Sequence, residues 1–291
     1  MQPSSSPPVP SGAAPRGQLR CGRFVFPLDR PLIMGVVNVT PDSFSDGGRF
    51  LDPAAAIARA RELIAEGADL IDLGAESSRP GAGAVVSAEE ELRRLLPVLQ
   101  GLSDVPLSVD TVKPEVMRVA LAEGAAMIND INALRAPGAL AVIAAGDAAV
   151  CLMHMQGSPG TMQQDPSYGD VVAEVKAFLQ QRIDSVCAAG IALERVVVDP
   201  GFGFGKTLAH NLELLRHLRE FAALGVPLLA GWSRKSSLGA ITGKPAGERL
   251  AASVAAALIA AQNGASILRV HDVAATRDAL SVLAAVEKID D

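Results

Sequence analysis

The chain has 291 residues, of which 49% are hydrophobic and only 3% aromatic, so aliphatic side chains and alanine must fill a sizeable core. Its 26 basic and 32 acidic residues give a net charge of -6, which argues against a nucleic-acid binder because such proteins usually carry a basic excess. Three cysteines are too few for a disulfide framework or a zinc cluster and fit a reducing cytoplasm. We expect Cys151 to be buried.

The amino-terminal residues 1–17 are dominated by proline, serine and glycine and cannot bury enough surface to fold. They lack a basic start followed by an apolar run, so they do not form a secretory signal. We predict a disordered tail at 1–17 and one domain at 18–291. The uncharged stretch 250–268 breaks at Asn263-Gly264, which predicts a buried helix, a turn and a strand and no membrane span.

Short β-type runs recur along the rest of the chain. They are continuously apolar, which is typical of parallel strands that are covered on both faces. The predicted strands are 31–39, 68–76, 106–111, 125–132, 148–155, 195–201, 227–233 and 266–272.

Helical segments with recognisable start and stop signals separate these strands. Asp52-Pro53 predicts an N-cap and a first-turn proline, Ser87 with Glu90 predicts a capping box, and Asp272 can cap the last helix. Glycines predicted to end helices are Gly67, Gly124, Gly190, Gly225 and Gly264. Eight strand–helix units predict an α/β fold, a single (β/α)8 TIM barrel, and the alternative is an open doubly wound sheet.

Polar residues follow each apolar run directly. In a (β/α)8 barrel the carboxyl ends of the strands form the active site, so these residues are the candidate site. They are Asn38, Glu76, Ser77, Ser78, Arg79, Asp110, Asn129, Asp130, His154, Asp199, Ser233, Arg234, Lys235, Arg269 and His271. The set combines cations, carboxylates and carboxamides. It suits a substrate with one phosphorylated end and one hydrogen-bonding end, either a heterocycle or an amide.

The segment DPGFGFGKT at 199–207 superficially matches a phosphate-binding loop. A Walker A motif needs glycine six places before its lysine, and Pro200 occupies that place before Lys206. The dinucleotide pattern GxGxxG fails as well. The glycine-rich turn still allows a ligand to approach the backbone closely.

The strand-end motifs together resemble the bacterial dihydropteroate synthase family from about Pro31 to the carboxyl terminus. The motifs are MGVVNVTPDSFSDGG at 34–48, GAESSRPG at 74–81, SVDT at 108–111, IND at 128–130, MHMQG at 153–157, DPGFGFGK at 199–206, SRKS at 233–236 and RVHD at 269–272. The second motif departs from the usual GGESTRPG of the family, because Ala75 replaces glycine and Ser78 replaces threonine.

The resemblance implies a transferase of folate biosynthesis. The family condenses (7,8-dihydropterin-6-yl)methyl diphosphate with 4-aminobenzoate to give 7,8-dihydropteroate and pyrophosphate, through a cation-like displacement. It also implies Mg²⁺ as the cofactor, a homodimer, a cytoplasmic location and inhibition by sulfonamides. The expected partners are small-molecule substrates, and neither nucleic acid nor a membrane is expected.

The same resemblance assigns roles to residues of this sequence. Asp110 and Lys235 are the expected catalytic residues; Asp110 stabilises the cation, and both contact the pterin. Two further groups bind the substrates. The pterin diphosphate is expected at Ser78, Asn129, Asp199, Arg269 and His271, and the aminobenzoate at Arg79, Pro80, Phe204, Lys235 and Ser236. Asn38 is carried over as the protein ligand of Mg²⁺, which needs few protein ligands when phosphates complete its shell.

Residue geometry supports one of these assignments independently. Arg269 and His271 stand two apart on the predicted last strand, so their side chains point the same way. Barrels commonly bind phosphate near their last two strands.

Two other functions fit part of the pattern. One is the pterin-binding barrel of a corrinoid methyltransferase, and the other is a non-catalytic pterin-binding paralogue. The NVTPDSFSDGG, SRPG and SRK motifs occurring together argue against the first. The occupation of every expected polar position argues against the second.

Overall fold

The computed structural model describes residues 17–40, 52–76, 86–158 and 160–287. The predicted tail lies outside these residues except for Gly17, so its disorder stays a prediction. Within the described part, the strands are β1 (Gln18–Cys21), β2 (Phe24–Pro27), β3 (Leu32–Asn38), β4 (Leu70–Gly74), β5 (Leu107–Asp110), β6 (Met127–Asp130), β7 (Ala149–Met153), β8 (Val196–Asp199), β9 (Leu229–Ala230) and β10 (Ile267–Val270).

The eight strands β3 to β10 form one parallel sheet in the order β8-β7-β6-β5-β4-β3-β10-β9. A parallel bridge between Val198 and Leu228 joins the two ends of this order, and Val198 N–H donates to the Pro227 carbonyl at 3.0 Å. The sheet therefore curls into a barrel, and the predicted (β/α)8 fold is confirmed.

Helices between the strands cover the outside of the barrel. They are α1 (Pro53–Ala65), α2 (Ala88–Gly101), α3 (Pro114–Ala122), α4 (Ala139–Ala144), α5 (Val171–Ala188), α6 (Leu208–Arg216), α7 (Ser236–Thr242), α8 (Leu250–Gln262) and α9 (Val273–Glu287). No helix in the described ranges is long and apolar enough to cross a membrane.

The helix signals in the sequence have clear structural counterparts. Asp52 accepts from the Ala54 N–H and Ser87 from the Glu90 N–H. The Glu90 side chain does not complete the predicted capping box, because it pairs with Arg93 and Arg94 instead. The glycines predicted to end helices all have a positive φ, between +71° and +103°, which is a conformation that glycine adopts readily.

Alternate residues of most barrel strands belong to two different apolar clusters. In β7, Val150 packs with the helices, whereas Ala149 and the buried Cys151 belong to the cluster that fills the barrel interior. In β8, Val196 and Val198 face the helices and Val197 faces inward. This two-residue period defines which strand positions point into the barrel.

An amino-terminal hairpin closes the bottom of the barrel. Strands β1 and β2 pair antiparallel, and the buried Leu19 and Cys21 pack on first residues of the barrel strands, including Leu32 and Ile267. The Gly22 N–H donates to the Asp147 carbonyl at 3.1 Å. This hairpin is not among the strands predicted from the sequence.

Strand β9 is shorter than the predicted 227–233. Beyond Ala230 the chain turns out of the sheet, and the Lys235 N–H donates to the Trp232 carbonyl at 3.2 Å. Arg234 within this turn has a φ of +58°. The apolar run therefore continues past the end of the strand, because Trp232 is buried in the turn.

Candidate active site

The candidate site lies at the carboxyl ends of the barrel strands. The register sets Asn38 beside Gly74, Gly74 beside Asp110 and Asp110 beside Asn129, so four neighbouring strands end at one level. A Cβ atom at Gly74 would lie 3.7 Å from Asn38 Oδ1 and 3.8 Å from Asp110 Cβ. The glycine therefore keeps the space between these two side chains open.

A hydrogen-bonded network of charged and polar side chains crosses the barrel interior near the carboxyl ends of the strands. Arg269 Nε donates to Asp72 Oδ2 at 2.6 Å, and its Nη2 donates to Asp110 Oδ2 at 3.2 Å. The same Asp72 oxygen accepts from Asn129 Nδ2 at 3.2 Å. These residues occupy inward-facing positions directly above the apolar interior, so Arg269 links β10 to β4 and β5, from which β3 separates it in the sheet.

Burial determines the electrostatics of this network. Burial raises the pKa of Asp110 to about 7 although Arg269 opposes the shift, and the nearby carboxylate of Asp72 adds to the increase. Burial also disfavours the Arg269 charge, but Asp72 and Asp110 overcome this and raise the pKa of Arg269 above its ordinary value. The guanidinium thus stays charged, while Asp110 can change protonation state near neutral pH.

A second group of residues lies across the barrel on β8 and the turn after β9. Asp199 Oδ1 accepts from the Gly201 N–H at 2.7 Å, and burial raises the pKa of Asp199 against the opposing effect of Lys235. Lys235 Nζ donates to the Phe202 carbonyl and lies 4.6 Å from the centre of the Phe204 ring. Burial lowers the pKa of Lys235 to about 8, although Asp199 opposes the shift.

The loop after β8 depends on glycine at two close approaches. A Cβ atom at Gly201, whose φ is +71°, would lie 1.9 Å from the His154 carbonyl oxygen. A Cβ atom at Gly205, whose φ is +61°, would lie 2.4 Å from the Gln156 carbonyl oxygen. The glycine-rich sequence therefore packs this loop onto the backbone after β7.

The buried Lys206 holds the loop from within. Its ammonium donates to the carbonyls of Gly201 and Phe204 at 2.9 and 3.0 Å and lies 3.0 Å from His154 Nδ1. Phe202 packs on the buried Trp232 with ring centroids 5.0 Å apart. The loop carrying Phe204 is thus fixed against both β7 and the Lys235 turn.

The loops after β9 and β10 also meet. His271 Nδ1 lies 3.0 Å from Ser233 Oγ, and the His271 backbone N–H donates to the same hydroxyl at 3.2 Å. Ser236 is exposed at the first position of α7.

The structure places most of the predicted site residues together at this end of the barrel. They are Asn38, Asp110, Asn129, Asp199, Phe204, Lys235, Ser236, Arg269 and His271. The predicted residues Ser78, Arg79 and Pro80 lie outside the described residues. Asp72 and Lys206 were not predicted as site residues. A signal for Asp72 exists, because it interrupts the apolar run of β4 at an inward-facing position.

The described part of the chain contains no group of three or more histidine, cysteine, aspartate or glutamate residues that could hold a metal ion. Glu76, another oxygen-bearing residue at a strand end, pairs with Lys113, which also donates to the buried Glu91 at 2.7 Å. Any divalent cation held here would therefore rely on isolated oxygen donors such as the Asn38 amide.

Comparisons with known proteins agree with this geometry. A family model described as pterin binding enzyme matches residues 34–271. The chain is 51% identical over 261 residues to the dihydropteroate synthase of Escherichia coli (strain K12), covering 89% of this chain and 92% of that protein. It is similar to Xanthomonas albilineans dihydropteroate synthase solved with 4-aminobenzoic acid, with a TM-score of 0.88, 55% identity and coverage of 94% of this chain and 99% of that chain. A complex of the Xanthomonas albilineans enzyme with 7,8-dihydropteroate gives a TM-score of 0.85, 53% identity and coverage of 93% and 99%.

Proposed function

The chain belongs to the pterin binding enzyme family, and we propose that it catalyses the dihydropteroate synthase reaction. The reaction condenses (7,8-dihydropterin-6-yl)methyl diphosphate with 4-aminobenzoate and releases pyrophosphate. The observation that carries the proposal is the Asp72–Arg269–Asp110 network facing Asp199 and Lys235 at the carboxyl end of the barrel. The relatives named dihydropteroate synthase match most of the chain, and one of them binds the product of this reaction.

The first chemical step breaks the bond between the pterin methylene carbon and a diphosphate oxygen. Both electrons leave with the oxygen, so positive charge develops on the carbon and spreads into the pterin ring. The Asp110 carboxylate supplies negative charge beside this cation, which stabilises the transition state when the charge is preoriented. The Asp110 side chain is largely buried, so water screens this charge only weakly.

In this proposal Asn129 and Asp199 form hydrogen bonds to the amino-pyrimidinone edge of the pterin. A carboxylate accepts hydrogen bonds, and a carboxamide both donates and accepts, so the pair can match an amino-pyrimidinone edge. Leaving such buried groups unpaired costs about 1–3 kcal/mol each, and the site therefore rejects rings that lack this edge. Lys235 approaches the same ring from the turn after β9.

The leaving diphosphate is bound by Arg269 and His271 in this proposal. Arg269 keeps its charge because Asp72 and Asp110 flank it. As the bond breaks, the positive field of Arg269 favours the departing oxygens, while Asp110 favours the carbon. The network thus presents adjacent positive and negative groups, Arg269 toward the departing oxygens and Asp110 toward the carbon.

The aminobenzoate slot is proposed at Phe204, Lys235 and Ser236, together with Arg79 and Pro80 outside the described residues. The Phe204 ring under the Lys235 ammonium offers a flat surface for the benzoate. The arylamine is a neutral nucleophile, so its nitrogen attacks the methylene carbon directly and then loses its proton to water or phosphate. An aryl sulfonamide of the same shape would compete for this slot.

Mg²⁺ is the proposed cofactor, and the donor chemistry fits it. Magnesium prefers oxygen ligands and keeps several waters when substrate phosphates complete its shell, so the single Asn38 amide oxygen suffices. Asn38 lies at the carboxyl end of β3 beside the open space at Gly74. Bound Mg²⁺ would neutralise part of the diphosphate charge.

Pyrophosphate release from the two purified substrates tests the proposal. We expect release that requires both the pterin diphosphate and 4-aminobenzoate. A methyltransferase barrel would instead consume a methylated folate, and a non-catalytic paralogue would bind the pterin without releasing pyrophosphate. Either result would reject the proposed reaction.

We also propose that the enzyme is a homodimer. Most exposed large hydrophobic side chains of the described residues lie on the neighbouring helices α6 to α9, including Leu212, Ile241 and Val282. Sedimentation should give twice the 30.0 kDa chain mass, and Ile241→Glu should lower the dimer fraction. A wild-type monomer at assay concentration would reject this state.

A cytoplasmic location is supported by the thiols. Cys21, Cys151 and Cys187 are all free, and burial raises the pKa of Cys21 to about 12, which keeps its thiol protonated. Thiol titration of the unfolded protein recovered from cells should find all three cysteines reduced. Oxidised cysteines would count against this location.

A further inference from the structure

Two pairs of side chains join the loops that follow β9 and β10. Ser233 Oγ contacts both the backbone N–H and Nδ1 of His271. One residue further along each loop, Arg234 donates from Nε and Nη2 to the two carboxylate oxygens of Asp272 at 3.1 and 2.5 Å. Two consecutive residues of one loop therefore bind two consecutive residues of the other.

Hydrogen bonds to its backbone constrain the turn that carries Arg234. Its φ of +58° is uncommon for a residue with a Cβ atom, and such conformations persist only where the surroundings enforce them. The Arg234 N–H donates to Ser253 Oγ at 3.0 Å. Arg249 donates to the carbonyls of both Arg234 and Lys235, at 3.0 and 3.2 Å. The backbone on both sides of the Arg234–Lys235 peptide is therefore fixed.

Resting on the proposed function, we propose that Arg234 and Asp272 are positioning residues that hold Lys235 in register with His271. Lys235 follows Arg234 directly, and His271 precedes Asp272 directly. The bidentate ion pair fixes the separation of the two loops. Lys235 then contacts the pterin on one side of the site, and His271 contacts the diphosphate on the other side.

The exposure of the pair separates this role from a purely structural one. The Arg234 side chain is 42% exposed and that of Asp272 is 18% exposed, and ion pairs so close to solvent contribute little to global stability. A small displacement of catalytic groups, in contrast, lowers the rate strongly. Breaking the pair should therefore reduce activity far more than it reduces the melting temperature.

The experiment compares Asp272→Asn, Arg234→Ala, Arg234→Gly and the double variant Arg234→Ala/Asp272→Asn in the full chain. Each single variant should lower kcat/KM by about tenfold, and the double variant should lose no more than the worse single variant. Glycine accepts the left-handed turn without strain. Arg234→Gly with wild-type kinetics would show that the turn matters and the ion pair does not, which would overturn the inference.

The matched control is Asp104→Asn, which breaks the bidentate pair of Asp104 with Arg61 at the opposite end of the barrel. Kinetics of this control should equal those of the wild type. Each Arg234 or Asp272 variant should also weaken pyrophosphate binding in the presence of Mg²⁺, measured by calorimetry. The reason is that loss of the ion pair displaces His271 in the loop after β10. Unchanged affinity in Arg234→Ala would overturn the inference.

Hydrogen–deuterium exchange gives a measurement that needs no turnover. Asp272→Asn should speed exchange of the amides at 233–236, whereas Asp104→Asn should leave them unchanged. Equal exchange in both variants would overturn the inference. Wild-type protein without pyrophosphate release would instead reject the proposed function, so the two failures are distinguishable.

Discussion

Lys206 Nζ lies 3.0 Å from His154 Nδ1 in the buried layer beneath the loop that carries Phe204. Burial lowers the pKa of Lys206 to about 7, and its ammonium form can only donate, so in that form Nδ1 accepts and the ring proton is on Nε2. Burial and the Lys206 charge lower the pKa of His154 to about 3, which keeps the ring neutral. The ring then packs edge-on against Phe178, with centroids 4.9 Å apart.

The first prediction is that Lys206→Met loosens this loop. The carbonyls of Gly201 and Phe204 would lose their donor, and each buried unpaired group costs about 1–3 kcal/mol. We expect lower stability and a larger rise in KM for 4-aminobenzoate than for the pterin diphosphate, because Phe204 shifts. Thermal unfolding and steady-state kinetics measure both effects. The exposed Lys244→Met is the control, and equal behaviour of the two variants would refute this account.

The second prediction is that Asp110→Asn abolishes turnover and leaves the fold intact. The amide keeps the size of the side chain and removes the negative charge beside the developing cation. Pyrophosphate release measures turnover, and circular dichroism checks the fold. A folded variant with near-normal release would show that this charge is unnecessary.

The third prediction concerns pH. Burial raises the pKa of Asp110 to about 7, and the reaction needs its ionised form, so kcat/KM for the pterin diphosphate should fall as pH drops below about 7. The Asp72 charge contributes to this rise, so Asp72→Asn should move the acid limb to lower pH. Ionisation of the substrate is the same for both proteins. An acid limb at the same pH in Asp72→Asn and the wild type would show that the limb reports ionisation of the substrate.

The fourth prediction separates the amino-terminal tail from the hairpin. Deleting residues 1–16 should leave activity and melting temperature unchanged, because their composition cannot form a core. The cut stops before Gly17, whose carbonyl accepts the Leu28 N–H at 3.0 Å. Leu19→Ala, in contrast, removes a fully buried side chain and should cost about 2–5 kcal/mol of unfolding free energy. A marked loss of stability on tail deletion would show that the tail docks.

The fifth prediction tests the role proposed for Asn38. Chelating Mg²⁺ should weaken binding of the pterin diphosphate and hardly affect a bare pterin, since the metal would be shared with phosphate oxygens. Chelating Mg²⁺ should weaken binding of the pterin diphosphate less in Asn38→Ala than in the wild type. Calorimetry with both ligands decides this, and equal losses for the two ligands would contradict it.

The barrel could be predicted because its signals are local. Each buried parallel strand appears as a continuous apolar run, and glycines such as Gly67 and Gly264 mark the helix ends through their positive φ. Because parallel strands end at one edge, the polar residue after each run also predicted most of the site. Asp110 and Asn129 lie side by side for this reason.

Other features depend on partners far away in the chain. Asp72 binds Arg269, 197 residues later, and the apolar run around it shows only that this strand is buried. The hairpin strands do alternate, since Leu19 and Cys21 are buried and their neighbours in β1 are exposed, but each strand has only four residues and packs on strand starts spread over the whole chain. The predicted strand at 227–233 runs past the observed end of β9 at Ala230. Trp232 is buried in the turn that follows, and burial alone does not distinguish a turn from a strand.

The packing of Trp232 on Phe202 gives this protein a built-in optical probe. Trp232 is the single tryptophan of the sequence, so fluorescence excited at indole wavelengths comes from one position. That position is two residues before Arg234, in the turn that also carries Lys235, and its ring touches the loop that carries Phe204. Ligand arrival at either loop can therefore be followed by stopped-flow emission on the unlabelled wild-type chain, which resolves the order of the two substrates in real time.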